Sequence, residues 1–122
     1  MTVEKMQTII ENMGVGYEEV MQDKSFYSVE LDAVTTPPKE RFKDEAAYFK
    51  TLLHELSHAT GHVNRLNRDL SGEHGSMSHA KEELRADIGA AFLMADFGLE
   101  FDESHVQNHL AYIQSWAEVL KK

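Results

Sequence analysis

The sequence predicts an α+β domain in which a small antiparallel sheet packs with about four helices. Apolar residues recur at helical spacing in four stretches, and short β-like runs cluster between residues 15 and 36. The chain has 122 residues, room for one domain with one modest core. Val3, Met6, Ile9, Ile10 and Met13 share a helical face, so residues 3 to 13 form the first helix, with Gly14 as its C-cap. Strand-like runs follow at Tyr17 to Met21, Ser25 to Val29 and Asp32 to Thr35. Gln22-Asp23-Lys24 divides the first two, and Pro37-Pro38 closes the last.

Three longer helices are expected near 44 to 63, 78 to 97 and 103 to 121. Asp44 and Glu45 supply acids at the start of the first, and Phe49, Leu52, Leu53, Leu56 and Ala59 give it an apolar face. In the second, Ile88 to Met94 reads as a small-residue apolar face that packs closely on a neighbour, and Gly98 ends the helix. Asp102 or Ser104 caps the last helix. Ser71 to Ser78 is a Gly- and Ser-containing loop, read as a connector that can rim a site.

Inside the 44 to 63 helix stands His54-Glu55-Leu56-Ser57-His58, the H-E-x-x-H pattern. Residues four apart on a helix project from one face, so both imidazoles can hold one ion. Glu55 lies about 100° round the helix from His54, placed to act on a water as general base rather than to ligate. A catalytic zinc needs a third protein ligand. In the pattern that continues H-x-x-G-x-x-H, Gly61 fits but Asn64 stands where the third His belongs. His62 is one turn beyond His58 and reads as lying behind the ligands or at the surface, with ligation as the alternative. A carboxylate from Glu82-Glu83-Leu84-Arg85-Ala86-Asp87 is the other solution. Glu83 and Asp87 share a face, while Glu82 points about 100° away. Either Glu83 ligates and Asp87 orients an imidazole, or the two roles are exchanged. Arg65 and Arg68 read as solvated cations at a helix end, with binding of an acidic substrate group as the alternative.

Residues well beyond the five-residue core carry a family resemblance. Phe26-Tyr27, Asp32, Pro37, Phe42, Tyr48, Thr51 to His62, Arg65 to Arg68 and Glu82-Glu83-Leu84 resemble the zincin-like metallopeptidase domain of ArdC-type antirestriction proteins and of phage and plasmid polyvalent proteins. His109, Tyr112, Ile113 and Trp116 resemble that family's C-terminal segment. The resemblance implies a gluzincin-like Zn2+ site between two helices, with His54, His58 and Glu83 as ligands and Glu55 as base. It also makes His109 and Tyr112 candidates for stabilising the oxyanion, since residues three apart on the last helix can face one cleft. The expected domain is a single zincin-like unit over 1–122, without the N-terminal single-stranded-DNA-binding domain of full-length family members.

Such a site implies hydrolysis of peptide bonds in a peptide or protein substrate. The alternative is an antirestriction or DNA-mimic protein that acts by binding, its metal structural and its partner drawn from host defence or a plasmid or phage system. Glu55 favours catalysis, because neither a binding module nor a structural metal site needs a carboxylate beside the first ligand. A net charge of −9 argues against a nucleic-acid groove. The chain has no cysteine, hence no thiolate site and no disulfide. No apolar run approaches a membrane span and no signal-peptide core is present, so a cytoplasmic protein is expected.

Overall fold

In the computed structural model the description covers residues 2–73, 75–98 and 103–121. Helix α1 spans Val3–Met13, with Thr2 accepting the Lys5 amide at its start and Gly14 closing it at φ 72°. Strands β1 (Gly16–Glu19), β2 (Phe26–Ser28) and β3 (Ala33–Thr36) follow, then a short 3-10 turn at Lys39–Arg41. Helices α2 (Glu45–Ala59), α3 (Met77–Asp96) and α4 (Glu103–Leu120) complete the chain. No helix among the described residues is long and apolar enough to cross a membrane.

The sheet departs from the antiparallel expectation. Its order is β1-β3-β2, with β2 antiparallel to β3 but β1 parallel to it, Tyr17 opposite Val34. The chain reverses between β1 and β2 and again between β2 and β3, and β3 then inserts between the two earlier strands. Two reversals return β3 to the direction of β1. Alternation along a strand reports which side chains face inward and carries no information on a neighbour's direction. Val34, fully buried in the central strand, joins Met6 and Ile10 of α1 and Phe49, Leu52, Leu53 and Leu56 of α2 in the core. Tyr17 ties the layers together, its hydroxyl lying 2.7 Å from Thr36 Oγ1 and 3.1 Å from the Tyr48 hydroxyl.

Helix α2 begins where Asp44 accepts the Ala47 amide at 2.8 Å. It ends at Ala59, four residues short of the expected 63, because the chain turns back on itself: Arg68 N–H donates to Gly61 O at 2.9 Å and Leu66 N–H to Thr60 O at 2.9 Å. Gly61 leaves room for the returning side chains, since a Cβ there would lie 3.0 Å from Arg68 Nη2 and 3.0 Å from Leu70 Cδ2. Helix α3 packs along α2 through Ala86, Ala90 and Met94, all fully buried. At Gly89 a Cβ would meet Ser57 Oγ at 3.0 Å, so the small-residue face allows the close approach that brings α3 acids to α2 histidines.

Candidate metal centre

Helical spacing stacks His54 and His58 on the face of α2 that meets α3. Their Nε2 atoms are 3.2 Å apart. Glu83 of α3 completes a triangle, with Oε2 3.2 Å from His54 Nε2 and Oε1 3.1 Å from His58 Nε2. Four ligands at zinc bonding distances in a tetrahedron stand roughly 3.3 Å from one another. The three side chains therefore form a ready donor set for a divalent cation.

The other ring nitrogens explain why the donors converge. His54 Nδ1–H donates to Asp87 Oδ1 at 3.0 Å, and His58 Nδ1–H donates to Glu82 Oε2 at 2.8 Å. A carboxylate can only accept, so each Nδ1 carries a proton, and an ion that displaces the proton of Nε2 meets a lone pair facing the cluster. Two lone pairs and a carboxylate aimed at one point repel unless positive charge sits among them. Burial opposes protonation of His54, yet hydrogen bonds to Asp87 and Glu83 lift it to about 10. His58 is lifted to about 9 against the same penalty by Glu82 and Glu83. Burial also works against ionisation of Glu83, but both imidazoles hold its carboxyl far below the ordinary carboxylate range.

Glu82 corrects the expectation that it points away from the site. Adjacent acids on α3 straddle His58, Glu83 reaching its Nε2 and Glu82 its Nδ1. Arg68, expected to be solvated, is the clamp behind it. Arg68 Nε donates to Glu82 Oε1 at 2.9 Å and Nη2 to Oε2 at 3.0 Å, while Nη1 donates to Thr60 Oγ1 at 2.8 Å and Nη2 to Ser57 O at 2.9 Å. Arg65 is not solvated either, since it holds Asp32 bidentately at 2.9 and 2.8 Å and ties the end of α2 to the β2–β3 turn. On the His54 side, Asp87 is 2 % exposed, and its Oδ2 has no hydrogen-bond partner among the described residues.

Two clefts meet at His54 and Glu55. One of about 670 Å³ is lined by Lys50, Thr51, His54, Glu55 and Asp87 together with the loops on either side of the 3-10 turn. The other, about 330 Å³, holds His58, Glu83 and His79 as well. Glu55 is buried where they join, and burial pushes its carboxyl up against the pull of His54 and His58. His79, one turn before Glu83 on α3, has its Nε2 4.0 Å from Glu83 Oε1. Sequence reasoning missed it, although its i,i+4 spacing from Glu83 was the available signal. His62 stands apart from the donor set, its Nδ1 accepting the Asn64 amide at 3.1 Å. His109 and Tyr112 fall on α4, and their side chains lie outside the described residues, as does Asp102.

The family model for zincin-like metallopeptidases matches residues 4–122. The chain belongs to this family. Within it, the zincin-like domain is 37% identical over 119 residues to DNA primase TraC of Escherichia coli, covering 98% of this chain but 8% of that protein. It is 39% identical over 98 residues to the protein y4eC of Sinorhizobium fredii, covering 80% of this chain and 31% of that protein. The Mn(II)-bound crystal structure of antirestriction protein ArdC from plasmid R388 superposes with a TM-score of 0.75 at 33% identity, over 99% of this chain and 44% of that one. Its metal-free structure gives 0.71 at 33% identity. The zincin-like domain thus spans less than half the length of each of these relatives.

Proposed function

We propose that this zincin-like domain is a zinc-dependent metallopeptidase, with His54, His58 and Glu83 holding the ion and Glu55 handling protons during peptide-bond hydrolysis. The observation that carries the reading is the convergence of two Nε2 atoms and the Glu83 carboxylate at 3.1 to 3.2 Å beside a buried Glu55. When bound, such an ion polarises a substrate carbonyl and acidifies a water. Asp87 and Glu82 keep the imidazoles in the tautomer that the ion needs. A peptide laid from one cleft into the other passes Glu55 at their junction, where its carboxylate accepts the proton of the attacking water and passes it to the leaving nitrogen. His109 and Tyr112 complete the proposal as donors to the developing oxyanion.

A second reading has its own support, because ArdC, 33% identical, is named an antirestriction protein. In that reading the domain acts by binding a partner of host defence or of a plasmid or phage system, and the ion holds the fold. Glu55→Gln separates the two. It keeps shape but cannot take a proton, so zinc content and melting temperature stay at wild-type values while cleavage of a peptide library falls about 10²-fold or more. Wild-type protein that cleaves nothing, with Glu55→Gln equal to it in binding restriction enzymes, would replace the peptidase reading with the binding one.

A further inference from the structure

The geometry points to Lys50 as a determinant of substrate choice: its ammonium receives a carboxylate carried by the residue next to the scissile bond. This rests on the peptidase reading above and names the substrate class for the same site. Lys50 precedes His54 by one turn of α2, so the two side chains leave the same face with Cβ atoms about 5–6 Å apart. Both line the larger cleft, together with Glu55. One peptide residue spans about 3.3–3.6 Å, so a carboxylate one residue from a carbonyl held at His54 and Glu55 comes within reach of the ammonium.

The other lysine and arginine side chains on this cleft are already matched. Arg41 donates to Asp23 Oδ1 at 2.5 Å, and Lys43 has a partner of its own. Asp87 bonds His54. Lys50 forms no ion pair among the described residues, although it is half-buried and burial already disfavours its charged form. Only the field of Asp87 acts in the opposite direction. A partly desolvated cation beside the reacting centre gains most from an anion that arrives with the substrate. The net charge of −9 disfavours a polyanion in that role, which leaves a carboxylate of the peptide itself, from a side chain or from the C-terminus.

Peptide hydroxamates test this, because they bind a zinc site whether or not it turns over. Two differ only in Glu or Gln beside the hydroxamate, and two more carry a free or an amidated C-terminal carboxylate at that position. Isothermal titration of the zinc-loaded full chain should show an acidic member bound about tenfold or more tighter. Which pair shows the preference assigns its source. Lys50→Met should abolish it and Lys50→Arg should retain it, with zinc content and melting temperature unchanged in both. Equal, tight binding of all four by wild type overturns the Lys50 assignment and leaves the metal site standing, as does a preference that survives Lys50→Met. Binding of none overturns the metal site and Lys50 with it.

Discussion

The two histidines of α2 do the same work and are held in different ways. His54 leans on Asp87 through one oxygen, and the second oxygen of that acid is buried with no hydrogen-bond partner among the described residues. His58 leans on Glu82, whose two oxygens are both engaged by Arg68, and Arg68 in turn reaches back to the end of α2. On one side the supporting acid bridges neighbouring helices directly. The other is a relay that also pins the turn after α2, so its loss should damage the fold as well as the site.

Glu82→Ala breaks the contrast most severely. It leaves Arg68, only 20 % exposed, without its carboxylate, which should cost about 3–5 kcal/mol of stability. Asp87→Ala leaves one Nδ1–H unpaired, a cost of about 1–3 kcal/mol. Both should weaken metal binding about 10- to 100-fold, since each frees one imidazole. Urea melts of the metal-free proteins, with competition against a chromophoric chelator, measure the two effects. Equal stability losses would show that the relay holds nothing beyond His58.

Arg68→Lys is a smaller perturbation that keeps the charge and removes the fork. We expect about 1–2 kcal/mol of destabilisation together with weaker metal binding. Arg65→Lys is its matched control, because Arg65 holds Asp32 in the same bidentate manner away from the donor set. It should cost a similar amount in the urea melt and leave metal affinity untouched. A loss of affinity in Arg65→Lys would mean that any loosening of the turn, not the grip on Glu82, disturbs the site.

A pH dependence probes both histidines at once, without substitution. Without metal, the folded His54 and His58 titrate at about 10 and about 9, above their ordinary 6.5. Their contribution to stability is complete below about pH 6.5 and is lost as pH rises towards 9 and 10. The Glu83 carboxyl is depressed, so its contribution is present above 4.5 and lost as pH falls further. Melting temperature of the metal-free protein should therefore decline from about pH 6.5 to 10, while metal, which displaces those protons, narrows the decline. Parallel curves with and without zinc would show that the imidazoles do not exchange protons for metal.

By itself the sequence determined whatever follows from periodicity along one element. The bounds of α1 match the run from Val3 to Met13, and four-residue spacing placed His54 with His58 and Glu83 with Asp87. Periodicity states an angle about a helix's own axis, however, and not which neighbour fills the space at that angle. Glu82 sits about 100° from Glu83, which on an isolated helix points to solvent. In the fold that same angle carries it round the far side of the His58 ring, because Gly89 lets α3 approach α2 closely. Arg68 looked like a loose helix-end cation until the turn at Gly61 brought it back beneath Glu82, and β1 revealed its parallel partner only once β3 had inserted between the first two strands. Ring tautomers, the clamp on Glu82 and strand direction all depend on groups distant in the chain, and only the packing of α3 on α2 and the closing of the sheet brought those groups together.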